Sequence, residues 1–168
     1  MMMVESANKK FGFEFIVVDP AKNPPASKYA KCIQSQYDDI KTLDILSSQC
    51  DLVTIDFENV PSESLRHLEK KLPVFPNPTS LDICQDRLNE KNLFKKLNIA
   101  TTNYKSISSK DELKDALDEY SFGSILKSRK LGYDGKNQII IDEKGLDRIW
   151  DKINGVDSII ENKIDFDT

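Results

Sequence analysis

Apolar positions recur along the chain with two different periods. Met3, Ala7 and Phe11 return at helical spacing and Gly12 follows them, which predicts a helix over 1–11 closed by a glycine and lacking an N-cap. Residues 13–18 (FEFIVV) form a continuous apolar run of strand length stopped by Asp19-Pro20, the pattern of a strand buried on both faces. Residues 23–25 read as loop and 32–35 as a short strand. Ile40, Leu43 and Leu46 mark a helix over 38–48, and residues 52–55 (LVTI) a second buried strand. Leu65, Leu68 and Leu72 mark a helix over 61–71. Further on, 86–97 is a charged amphipathic helix, and a strand is expected at 104–107. The Ser109-Lys110-Asp111-Glu112 capping box opens a helix to about Tyr120. Strands are expected at 124–128, 138–142 and 158–161, with a helix over 144–153.

The order of elements divides the chain. Strands alternating with helices in the first half imply a parallel, Rossmann-like sheet, in which ligands sit beyond the carboxyl ends of the strands. Asp56, Phe57, Glu58 and Asn59 follow LVTI at such an end. Phe75-Pro76-Asn77-Pro78 breaks the pattern and reads as a domain exit. The fold class is therefore α/β: a Rossmann-like domain over 1–78, then a small β-α-β-β-α-β unit of α+β type over 79–168.

Composition narrows the chemistry. The 168 residues are 39% hydrophobic and 31% charged with a net charge of −4, and the signs are mixed along the chain. No basic stripe suits nucleic-acid phosphates, and no apolar run approaches the roughly 20 residues needed to span a bilayer. Met1–Val4 runs into Glu5 and two lysines, so no leader is expected. Cys32, Cys50 and Cys84 are odd in number and widely spaced, which disfavours a disulfide framework and suits a reducing cytoplasm. The single histidine, His67, lies in a charged helix and is expected on the solvated surface. That leaves little room for a Ser-His-Asp triad or a histidine-rich metal site.

One segment carries candidate chemistry. The loop 129–137 between two strands is longer than an ordinary hairpin connection. Gly132 and Gly135 allow the backbone to turn its amides toward an anion, and Lys127, Arg129, Lys130 and Lys136 place four cations on or beside it. Two readings stand on spacing alone, a triphosphate-holding loop and a basic surface hairpin of Asp-Gly type. The loop is neither a Walker A nor a G-x-G-x-x-G sequence.

Five stretches in register carry a resemblance. Residues 132–138 (GYDGKNQ) resemble the G-Y-D-G-K-G-Q loop of the 5-(carboxyamino)imidazole ribonucleotide synthase family, ATP-grasp enzymes of purine biosynthesis. Residues 17–20 (VVDP) with Pro24-Pro25-Ala26 are similar to that family's second strand and exit loop. Residues 51–61 (DLVTIDFENVP) are similar to its D-V-V-T-x-E-F-E-N-V segment, and 85–91 (QDRLNEK) to its Q-D-R-x-x-E-K helix. Ile159, Ile160 and Glu161 through Phe166 are similar to the strand leading into F-x-x-E-x-S. Asp56 stands where the family has Glu, and Leu131 and Asn137 stand where it has Gly.

The resemblance implies a truncated pre-ATP-grasp domain lacking its first strand, followed by the incomplete small lobe of an ATP-grasp domain. It implies ATP-dependent carboxylation of 5-aminoimidazole ribonucleotide by bicarbonate, a cytoplasmic setting, and no nucleic-acid or membrane partner. It leaves room for a homodimer in the complete enzyme, and it implies that this fragment alone is inactive. ATP would be met by Arg87, Lys127, Gly132, Tyr133, Asp134, Gly135, Lys136, Asn137, Gln138, Glu161, Asn162, Lys163 and Ile164. Lys127 would meet the phosphates, the loop would close over them, and Glu161 through Ile164 would meet the adenine edge. Glu58, Tyr133 and Asp134 would face the ribonucleotide. Mg2+ would be held by residues beyond Thr168, with no metal ligand in this chain. Asp151 and Asp157 are expected to be solvated. Two alternatives remain at this stage: another ATP-grasp carboxylate ligase, such as a formate-using transformylase or a biotin carboxylase, and a non-catalytic nucleotide-binding module.

Overall fold

Gly12 takes φ +68 and its amide donates to Asn8 O at 2.9 Å, closing helix α1 (Met2–Phe11) in the left-handed turn that glycine adopts without a Cβ penalty. The computed structural model describes residues 2–120, 123–132, 137–141 and 145–164. The chain forms two compact units, 1–81 and 82–168.

In the first unit the turn after α1 consumes the start of the expected strand. Asn8 Nδ2 donates to Phe13 O, and Phe13 stacks on Phe11 with ring centroids 5.5 Å apart. Strand β1 is therefore Ile16–Asp19 rather than 13–18. It is half-buried, not buried on both faces, because among the described residues it pairs only with β2 (Lys31–Gln34), in parallel from Ile16↔Lys31 to Asp19↔Gln34. A 3-10 turn, Pro25–Lys28, lies between the two strands.

Helix α2 (Ile40–Gln49) starts at Asp39, whose carboxylate accepts from the Thr42 amide at 2.8 Å. The LVTI run yields only β3 (Val53–Thr54), paired in parallel with β4 (Val74–Phe75), and Leu52 is exposed. Proline on both sides of β4, Pro73 and Pro76, supplies no amide to lengthen the ladder. Between them, α3 (Ser62–Glu69) buries Leu65 and Leu68. These join Leu43, Leu46, Val60, Leu72, Val74 and Leu81 in one core. His67 is only half-exposed, since its Nε2 lies 2.9 Å from Asp44 Oδ1 on α2. The 75–78 break also starts helix α4 (Pro78–Cys84), which the sequence reading passed over. Its signal was an Asn-Pro pair: Asn77 Oδ1 accepts from the Ser80 amide at 2.8 Å, and Pro78 occupies the first turn.

The second unit follows its expected order. Helix α5 (Arg87–Lys96) is capped by Asp86, then come β5 (Tyr104–Ile107) and α6 (Lys110–Glu119). Strands β6 (Ile125–Ser128) and β7 (Gln138–Ile140) form a hairpin, followed by α7 (Leu146–Ile153) and β8 (Ser158–Glu161). The capping box forms: Ser109 Oγ accepts from the Glu112 amide at 3.2 Å, and the Glu112 carboxylate accepts from the Ser108 amide at 2.6 Å. The four strands make one antiparallel sheet in the order β5-β8-β6-β7. On one face Leu126, opposite Ile160, packs with Ile107, Leu113, Ala116, Tyr120, Ile141 and Ile149. The other face of β6 and β8 carries the charged residues.

Candidate functional site

Side chains alternate between the two faces of a strand, so the core position of Leu126 sends Lys127 to the opposite face. In the register Lys127↔Ile159 and Ile125↔Glu161, Glu161 is the diagonal neighbour of Lys127 on that face. A diagonal neighbour is within reach of a long side chain. Lys127 Nζ and Glu161 Oε1 form an ion pair there. The sequence reading assigned these two residues to opposite ends of a nucleotide, and the sheet brings them together.

A third charge arrives from α5. Lys91 Nζ lies 2.7 Å from Glu161 Oε2, and it also donates to Thr101 Oγ1 at 2.9 Å and Thr102 Oγ1 at 2.8 Å. Thr102 Oγ1 donates to Glu161 Oε2 at 3.3 Å. Glu161 is 7% exposed. Burial pushes its carboxyl pKa up, but the hydrogen bonds from Lys127 and Lys91 outweigh this and hold it below the usual range.

The same helix grips the base of the loop at its other end. Asp86, 2% exposed, accepts from Arg129 Nε at 3.0 Å and Arg129 Nη2 at 2.6 Å, a two-pronged pair, while its Oδ1 also caps the Leu88 amide at 3.0 Å. Burial raises the Asp86 pKa, and the Arg129 guanidinium with the Leu88 and Asn89 amides brings it below the ordinary value. The Arg87 amide donates to Arg129 O at 3.0 Å, and Arg87 Nη2 donates to Gly132 O at 3.1 Å. Arg87 thus meets the loop backbone. Across the hairpin the Ser128 amide donates to Asn137 O at 3.1 Å, and Lys127 is paired with Gln138.

The remaining expected site residues fall in three places. Asn162, Lys163 and Ile164 follow β8 and are exposed, with the Asn162 amide donating to Asn103 O at 3.2 Å. Glu58 belongs to the first unit, exposed beyond the carboxyl end of β3. Tyr133, Asp134, Gly135 and Lys136 lie outside the described residues.

The ribonucleotide synthetase pre-ATP-grasp domain family matches residues 1–85, and the ATP-grasp domain family matches 92–168. The chain belongs to the ribonucleotide synthetase pre-ATP-grasp family. It is 34% identical to an N5-carboxyaminoimidazole ribonucleotide synthase of Pseudomonas aeruginosa over 98% of this chain and 46% of that protein. It is 35% identical to the bifunctional purine synthesis protein purC/E of Dictyostelium discoideum over 99% of this chain and 17% of that protein. Among solved structures, the Staphylococcus aureus N5-carboxyaminoimidazole synthetase complexed with ADP superposes with a TM-score of 0.92 at 30% identity, covering 99% of this chain and 45% of that one. The chain thus spans about half the length of the synthases it matches.

Within this family fold, two of the sequence departures acquire a geometry. Leu131 and Asn137, which stand where the resemblance expects glycine, adopt φ +58 and +59, the left-handed region that glycine occupies without strain. Asparagine tolerates that region and leucine does so poorly. Three further residues of the site escaped the sequence reading. Asp86 stands in the QDRLNEK stretch without a role, and Arg129 is only one cation among four. Lys91 was quoted in the helix motif without a role. Its position one turn after Arg87 was the available signal, since i and i+4 share a helix face. Asp157 is exposed as expected, its carboxylate 3.9 Å from Arg129 Nη1, while its backbone carbonyl accepts from the Arg129 amide at 2.9 Å.

Proposed function

We propose that this chain supplies part of the nucleotide site of an ATP-dependent enzyme that carboxylates 5-aminoimidazole ribonucleotide with bicarbonate in purine biosynthesis. The reading is supported most by one arrangement. A lysine on a rigid strand, Lys127, shares a sheet face with Glu161, and Arg87 pins the loop at Gly132 beside them. In this reading the first unit is the pre-ATP-grasp domain and the second the small ATP-grasp lobe. The donor set suits a nucleotide: Lys127 presents a point charge for the phosphates, and the loop base 129–132 is held by Asp86 and Arg87 so that its backbone amides can approach them.

In the chemistry that the resemblance implies, a bicarbonate oxygen attacks the γ-phosphorus and ADP leaves, giving carboxyphosphate. The ribonucleotide amine then attacks the carboxyl carbon and phosphate leaves. Such transfer depends on positioning and charge neutralisation, which are the contributions open to Lys127, Arg87 and the loop. Glu161 and the backbone through Ile164 would read the adenine edge, and Glu58, Tyr133 and Asp134 would face the ribonucleotide. Mg2+ is expected with the nucleotide. The described residues hold no group of three metal-ligating side chains.

Phosphate release by the protein expressed from its whole reading frame, measured with bicarbonate plus 5-aminoimidazole ribonucleotide against formate or biotin in their place, tests the reading. Release specific to the first pair is expected, and release with formate or biotin alone would redirect it to another carboxylate ligase. In the same assay Lys127→Ala should reduce turnover or nucleotide binding at least about tenfold. Unchanged catalysis would remove the phosphate role of Lys127.

A further inference from the structure

We propose that Lys91 is a positioning residue for base recognition, holding the Glu161 carboxylate where an adenine amine would meet it. The inference deepens the nucleotide-site reading above and rests on it. Three observations carry it. First, an ammonium group has three N–H donors. Lys91 directs them to Thr101 Oγ1, Thr102 Oγ1 and Glu161 Oε2, all within 2.9 Å. Its donors are all engaged, so it is built to hold a neighbour rather than to take a phosphate. Second, the lysines divide the carboxylate: Lys127 takes Oε1 and Lys91 takes Oε2. With Oε2 occupied by Lys91 and Thr102, Oε1 keeps lone-pair capacity beside Lys127 for a further donor, as an exocyclic amine requires. Without Lys91, Oε2 would retain only the 3.3 Å contact from Thr102, and the group would be free to turn toward Lys127.

Third, the support is stiff. The Lys91 side chain is 14% exposed and its ammonium lies 5.5 Å from the Tyr104 ring centroid. Tyr104 OH in turn donates to Asn92 Oδ1 at 2.9 Å. Lys91 also follows Arg87 by one helical turn. One face of α5 therefore sets both ends of the site, Gly132 through Arg87 and Glu161 through Lys91.

The test compares a ligand that has the base with one that lacks it. Binding of ATP and of inorganic tripolyphosphate is measured by calorimetry on the protein expressed from its whole reading frame, as wild type, Lys91→Met and Lys91→Arg. In Lys91→Met, ATP affinity should fall about tenfold while tripolyphosphate affinity stays within twofold, and Lys91→Arg should recover most of the loss. Unchanged ATP affinity in Lys91→Met overturns the proposal. So does an equal loss of both ligands, which would mean that Lys91 only stabilises α5. A wild-type protein that binds neither ligand instead overturns the nucleotide-site reading itself, and this inference with it.

Discussion

Each unit holds a carboxylate flanked by two nitrogen-bearing side chains, and burial separates the two arrangements. In the first unit Asp44 Oδ1 lies 2.9 Å from His67 Nε2 and 2.7 Å from Lys71 Nζ, with half of its side chain in water. In the second, Glu161 meets Lys91 and Lys127 with 9% of its side chain exposed. Both carboxyls titrate below their ordinary range, Asp44 through the Lys71 and then the His67 hydrogen bond, Glu161 through its lysines against an opposing burial effect. The difference lies in what water can replace. At Asp44 solvent and salt can take over the work of either partner, so the arrangement specifies little. At Glu161 they cannot, so the partners must be placed by the fold, and a placed charge cluster is what a binding site needs.

The largest expected effect sharpens this contrast. Glu161→Gln leaves Lys127 and Lys91 facing each other without a counter-charge on a largely buried face. Breaking a buried pair in this way costs about 3 kcal/mol, the lower end of the usual range because both lysines retain some exposure. Trp150 is the only tryptophan and packs against the second unit's core, so its fluorescence during urea unfolding reports that unit. The matching change, Asp44→Asn, should leave the first unit's own urea midpoint where it was, followed there by amide hydrogen exchange of α2 and α3 because Trp150 does not report that unit. Equal shifts in the two variants would break the comparison.

Acid gives the next effect in size. Asp86 and Glu161 have folded-state pKa values below those of the unfolded chain, about 3.9 for Asp and 4.3 for Glu. Between the folded and unfolded values the unfolded chain binds more protons, so stability rises with pH there. The contribution is present in full above the unfolded values, and it is lost as pH falls from about 4 through the folded ones. Trp150 fluorescence against pH should therefore show the second unit failing below about pH 4. The acid limb should be shallower in Glu161→Gln, which has lost one of the two groups. A limb of unchanged steepness in that variant would mean that Glu161 is not among the groups that drive it.

The second unit was largely legible in the sequence because its signals are local. The Ser109 capping box opens α6, short strand-length segments at 124–128 and 158–161 mark β6 and β8, and the order of elements gives the β-α-β-β-α-β unit. The first unit was legible in its helices and less so in its strands. A run such as FEFIVV says that a segment is apolar, but not how many neighbours cover it or where a preceding glycine turn ends. In the site, Lys127, Arg87 and Glu161 could be singled out from residue type and resemblance. Their contacts could not, because the Lys127–Glu161 pair depends on register between segments 34 residues apart. The Asp86–Arg129 pair likewise joins segments 43 residues apart. No local spacing encodes either.

The smallest effect tests a departure that was visible in the sequence and explained only by the backbone. Leu131 holds φ +58 with its side chain 67% exposed, so it accepts left-handed strain and gains little burial in return. For a residue with a Cβ that conformation costs about 1–2 kcal/mol. Glycine removes the cost, but it forfeits about 0.5–1 kcal/mol through the greater freedom of the unfolded chain. The strain is the larger of the two, so Leu131→Gly should stabilise the second unit by about 0.5 kcal/mol in the same urea titration. Leu131→Ala keeps the Cβ and the strain, and should show no such gain. A stabilisation shared by both variants would trace to the exposed leucine side chain. One confined to glycine traces to the backbone, at the residue beside the carbonyl that Arg87 holds.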